Sequence, residues 1–120
     1  MKRKAAVITL GAALFVSVSA SAQALARNGV LVAGDGMTLY TFDKDSRDRS
    51  ACTGLCAGNW PPLMAGINAK AEGDYSIVAR DDGGRQWAYK GKPLYLRVVD
   101  RKPGDRTGDG LHGAWHVARP

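Results

Sequence analysis

Apolar residues in this chain come in short runs of four to seven, separated by glycine, proline and aspartate. That spacing predicts short strands joined by tight turns. Val30-Leu31-Val32-Ala33 reads as a strand, Gly34-Asp35-Gly36 as a hairpin turn, and Met37 to Phe42 as the second arm. Residues 25–29 read as a short free end. Asp43 to Ser50 is a charged loop. Ala51 to Ala57 suits one or two helical turns, with Ser50 as the cap. Pro61 and Pro62 then force an extended path, on which Trp60 is the anchor. Residues 64–74 show no period and serve as a connector. Tyr75 to Arg80 is a strand, and Asp81-Asp82-Gly83-Gly84 a turn. Arg85 to Tyr89 is the next strand, with Arg85, Trp87 and Tyr89 on one face. Lys90-Gly91-Lys92 turns again, Pro93 to Val99 is an arm, residues 100–110 form a charged loop, and Ala114 to Ala118 closes the fold. The pattern predicts a mostly β, small antiparallel domain of about six strands, with at most one short helix, around Cys52 and Cys56.

The pattern also repeats. Gly36, Leu39, Tyr40, Asp45, Gly58 and Trp60 each recur 55 positions later, as Gly91, Leu94, Tyr95, Asp100, Gly113 and Trp115. Two similar units, about 30–65 and about 85–120, are therefore expected to pack together, since each is small for a core of its own.

The amino terminus changes the address. Lys2, Arg3 and Lys4 precede an apolar run from Ala5 to Val18, and then small residues alternate up to Ala24. This is the pattern of a secretory signal peptide over 1–24, cut after Ala24, with Ala22 and Ala26 as alternative cut points. Residues 25–120 would be the mature domain, periplasmic or secreted. No cysteine stands near the cut to carry a lipid, so no stable membrane anchor is expected after cleavage. The three leader cations account for half of the net charge of +6, and the remaining ones interleave with aspartates. That pattern argues against nucleic acid as a partner.

Tyr40, Phe42 and Asp45, followed by Cys52, Cys56, Ala57 and Trp60-Pro61-Pro62-Leu63, carry a family resemblance. So do Gly91-Lys92-Pro93-Leu94-Tyr95, Asp100 and Gly113-Ala114-Trp115-His116-Val117. The chain resembles the bacterial "secreted repeat of unknown function" family, predicted lipoproteins with a Tyr-x-aromatic-x-x-Asp motif. It departs from that pattern in lacking the acylated cysteine and in having Arg97 at the second aromatic position. The resemblance brings no established reaction.

Candidate chemistry is sparse. Two cysteines in an exported chain predict a Cys52–Cys56 disulfide. A thiol–disulfide redox role is the weaker alternative, because the spacing is not C-x-x-C. His112 and His116 are the sole histidines and the candidates for a metal or haem iron. Asp43, Asp45 and Asp48, like Asp100, Asp105 and Asp109, are oxygen-rich but lack the spacing of a helix–loop–helix calcium site. Tyr40 and Asp45, five apart, fall on opposite faces of a straight strand, as do Tyr95 and Asp100. The reading is therefore structural: each ring fills the core, each hydroxyl finds a buried partner, and each aspartate caps the loop that follows. Trp60, Trp87, Trp115, Tyr89 and Tyr95 are read as core ahead of an aromatic ligand pocket. Glu72 is the sole glutamate, which removes any paired-glutamate mechanism. The expectation is a non-enzymatic envelope module without a cofactor, acting on an envelope component, a protein or a small ligand.

Overall fold

The computed structural model describes residues 24–120; the leader read over 1–24 lies outside them but for Ala24. Seven short strands are present among the described residues: β1 (Ala24–Arg27), β2 (Val30–Ala33), β3 (Tyr40–Phe42), β4 (Tyr75–Ala79), β5 (Arg85–Tyr89), β6 (Lys92–Pro93) and β7 (Trp115–Val117). The helix α1 spans Leu55–Asn59, and a 3-10 turn spans Leu111–Gly113. All strand pairings are antiparallel: β1 with β2, β3 with β7, and β4 with β5 with β6.

The expected free end is a strand. Ala24 to Arg27 pairs with Ala33 to Val30. Asn28 and Gly29 make the turn at φ 53 and 82, both left-handed, as a tight hairpin with strand-matching twist demands. Ser50 does not cap α1 either. The residue before the helix is Gly54, and Ser50 is buried elsewhere. The helix also starts later than expected, at Leu55.

The opening hairpins of the two copies correspond. β1–β2 matches β4–β5, so each repeat begins one strand earlier than the motif spacing implied. Their meeting point is a reciprocal backbone pair: the Tyr40 N–H donates to the Tyr95 carbonyl at 2.8 Å, and the Tyr95 N–H to the Tyr40 carbonyl at 2.9 Å. Around it the bonds come in equivalents. Ala118 N–H donates to Leu39 O at 2.8 Å, and Leu63 N–H to Leu94 O at 2.9 Å. Asp43 N–H donates to Ala114 O at 2.8 Å, and Val98 N–H to Asn59 O at 3.1 Å. Each unit's Trp-bearing segment thus lies along the other unit's motif strand, and a pseudo-twofold axis runs between Tyr40 and Tyr95.

The central strands are buried on both faces, and alternation sorts their side chains into two cores. Leu31, Leu39, Trp87 and Leu94 form one. Val30, Val32, Tyr40, Cys52, Trp60, Tyr95, Trp115 and Val117 form the other. The connector puts Ala65 into the first core and packs Ala69 against it, beside Leu63.

Candidate functional site

The motif residues converge on the second core. Tyr40 and Tyr95 are both 0% exposed. Their hydroxyls do not reach the aspartate of their own motif; they cross over. Tyr40 donates to Asp100 Oδ2 at 2.6 Å, and Tyr95 donates to Asp45 Oδ2 at 2.7 Å. Each carboxylate also holds the loop that follows it: Asp45 Oδ1 accepts the Ala51 N–H at 2.7 Å, and Asp100 Oδ1 accepts the Thr107 N–H at 3.1 Å and the Thr107 hydroxyl. The five-residue spacing, which forbids a contact within one straight strand, is what places each aspartate opposite the other unit's tyrosine across the axis. Burial, reinforced by the neighbouring carboxylate, pushes both phenols well above the ordinary tyrosine range. Burial likewise pushes the Asp45 carboxyl up, against the opposing pull of its hydrogen bonds from Ala51 and Tyr95.

The tryptophans meet on the same axis. Trp60 and Trp115 stack at 3.7 Å with their planes 1° apart. Tyr40 meets Trp60 edge-on at 5.3 Å, and Tyr95 meets Trp115 in the same way at 5.2 Å. Phe42 stacks on Trp115 at 4.1 Å, and its equivalent Arg97 lies over Trp60 at 4.7 Å. The result is a four-layer column, Phe42–Trp115–Trp60–Arg97, in which a guanidinium replaces the second aromatic of the motif and keeps the stacking. Gly108 touches the column's flank: an added Cβ there would sit 2.5 Å from the Trp60 ring.

Beside Tyr95 lies a polar knot that sequence reasoning missed. Arg80 is 5% exposed, and all five of its N–H directions are used. Nε donates to Asp82, Nη1 to Ser50 Oγ at 3.1 Å and to Gln86 Oε1 at 2.9 Å, and Nη2 to the Cys52 carbonyl at 2.8 Å and to Asp82 Oδ2 at 2.7 Å. Ser50 Oγ lies 2.7 Å from the Tyr95 hydroxyl. Gln86, 0% exposed, also donates to the Leu94 carbonyl at 2.7 Å. Cys52 and Cys56 are joined, with sulfurs 2.04 Å apart, so the staple and the buried arginine fix the same loop from two sides.

The remaining candidates do not gather. His116 Nε2 lies 2.8 Å from Asp43 Oδ2 on the surface. His112 sits in the 3-10 turn at φ 55. Among the described residues no three histidine, cysteine, aspartate or glutamate side chains come close enough to hold a metal ion. Asp109 and Asp105 are engaged locally, by the Val117 N–H and by Lys102 with its preceding amides. Trp87 and Tyr89 lie with the first core, away from the column, so the aromatic residues do not line a single pocket. No described helix is long and apolar enough to cross a membrane.

Two interlocked β units, stapled once and joined through crossed tyrosine–carboxylate bonds, define the class: an internally duplicated β-repeat protein. The chain belongs to the family described as "secreted repeat of unknown function", whose model matches it twice, over residues 26–64 and 76–119. Those limits take in the second half of β1 and all of β4 but its first residue, so both repeats begin within the strand that the pairing adds. No curated protein and no solved structure matches the chain. The family's description makes this a secreted protein.

Proposed function

We infer that the chain works as a non-enzymatic module of the cell envelope, periplasmic in its finer address, whose duplicated core is a rigid scaffold and whose surface binds a partner. One observation carries this reading: Tyr40, Tyr95, Asp45, Asp100, Trp60 and Trp115 all turn inward and complete one another. Residue types that would serve a reaction on the surface are instead bonded inside. Among what remains open outside is an apolar patch. Met64 and Ile67 are 55% and 87% exposed, beside a groove of about 780 Å³ that Leu63, Trp87 and Leu96 also line.

Capture of envelope components on the immobilised protein tests the reading. Capture should persist in Tyr40→Phe, assayed below its melting temperature, and fall in Met64→Glu with Ile67→Glu. A folded Tyr40→Phe protein that captures nothing would move the function into the motif. The leader reading gains a second check. Ala24 is a buried rung of β1, paired with Ala33. Of the three cut points, the one after Ala22 leaves β1 whole. The mass of the exported protein should correspond to a chain starting at Gln23, and one starting at Arg27 would contradict this.

A further inference from the structure

Thr38 carries the one buried side-chain polar atom among the described residues that has no hydrogen-bond partner, its Oγ1. The residue is 2% exposed. A hydroxyl shut away from water without a partner is unfavourable, and native interiors seldom keep one without a use for it. The fold does not require it: the equivalent of Thr38 in the second unit is Pro93, which has no hydroxyl.

Thr38 lines a cleft of about 240 Å³ together with Val30, Gly36, Pro103, Arg27 and Arg106. No carboxylate is among the lining residues. No described carboxylate pairs with either arginine. Gly36 stands at φ +89, and the point an added Cβ would occupy is 3.2 Å from Pro103 and 3.6 Å from Arg27 Nη1, so the guanidinium lies over the turn. The cleft near the matching turn of the second unit, at Gly91, differs in charge: it holds Asp43 and Asp45 among Arg47, Lys90 and Lys92. Of these two clefts, only the one at the first unit's turn, to which the second unit contributes Arg106, brings two guanidinium groups without a carboxylate partner and an unused hydroxyl to the same place.

We propose that the Arg27–Thr38–Arg106 cleft binds a phosphate group. Guanidinium forks present paired N–H donors at the spacing of phosphate oxygens, and a turn of the Thr38 side chain, whose Oγ1 is covered in this structure, brings a further donor up from the floor. The volume suits a single phosphate with a small substituent. The group belongs either to free phosphate or to an anionic lipid headgroup, and the experiment separates the two. The proposal deepens the binding-module reading by naming one ligand class.

The test is titration calorimetry of the mature protein with inorganic phosphate at constant ionic strength set by chloride. Flotation with phosphatidylglycerol vesicles, against phosphatidylcholine vesicles, is the second arm. Arg27→Gln with Arg106→Gln should abolish binding in whichever arm is positive. Thr38→Val should weaken it about tenfold or more, and Thr38→Ser should restore it. Without ligand, Thr38→Val should melt at or above the wild-type temperature, because it removes an orphaned hydroxyl; this separates lost binding from lost folding. Binding of free phosphate without vesicle preference assigns a soluble phosphate. Vesicle binding alone assigns the headgroup. Absence of both, or equal binding by Thr38→Val, overturns the proposal. In that event, intact capture of envelope components would leave the module reading standing without this ligand.

Discussion

Tyr40→Phe deletes one oxygen and leaves the ring. The side chain is fully buried, so no water can replace what is lost. The Asp100 carboxylate, 7% exposed, loses its 2.6 Å donor, and the Gly108 N–H loses the acceptor it reaches at 3.3 Å. The edge-on contact with Trp60 survives, because it uses ring carbons. A hydrogen bond to a charged group contributes about 1.5–3 kcal/mol. In a domain of this size each kcal/mol moves the melting temperature by roughly 4–8 °C. Tyr40→Phe should therefore lower it by about 6–24 °C. Thermal unfolding followed by circular dichroism measures this. A double-mutant cycle with Asp100→Asn isolates the pair, and the coupling should account for most of the single-mutant loss. Tyr89→Phe is the control, a half-buried ring whose hydroxyl bonds to no described side chain, and it should shift stability by less than about 0.5 kcal/mol. A Tyr40→Phe protein that melts with the wild type, or a cycle with no coupling, would show that the crossed bonds do not hold the units together.

Three further outcomes are expected. Both buried phenols keep their protons above pH 10, where the unfolded chain releases them, so stability is full below pH 10 and falls as pH rises beyond it. The slope approaches about 1.4 kcal/mol per pH unit for each tyrosine; burial also raises the Tyr75 phenol, and denaturant melts from pH 9 to 11 should show Tyr40→Phe removing one tyrosine's share of the slope. Gly108→Ala should cost about 1–3 kcal/mol, because the new methyl group overlaps the Trp60 ring and the Arg97 stem; an unperturbed near-ultraviolet tryptophan signal would refute the overlap. Replacing both cysteines by alanine should cost about 2 kcal/mol in chemical denaturation, the loop-closure value for so short a link, and a larger loss would mean that the staple also holds the Arg80 knot in place.

Much of the architecture was legible. The 55-residue offset located the axis, and hydrophobic runs between glycines located β2 and β5 at their observed limits. The cysteine pair read correctly from compartment and spacing. β1 was missed because Leu-Ala-Arg carries little strand preference, although Asn28-Gly29 is a strong hairpin signal in its own right. The crossing of the tyrosine–carboxylate bonds was out of reach for local periodicity: the partners lie 60 and 50 residues apart, and only the twofold arrangement brings them together. Arg80, Ser50 and Gln86 were illegible for a different reason. Their types mark them as surface residues, and their burial depends on a complete set of partners contributed by three separate segments.

The crossed bonds have an ancestral implication. A single copy would present a tyrosine without its acid and an acid without its tyrosine, and only a second, identical chain turned through 180° could supply both at once. The ancestor of such a protein would then have been a symmetric homodimer. Joining two such copies in one chain would release each half from the demand for self-complementarity. The difference between Phe42 and Arg97, at opposite ends of the tryptophan stack, is one that two identical chains could not hold.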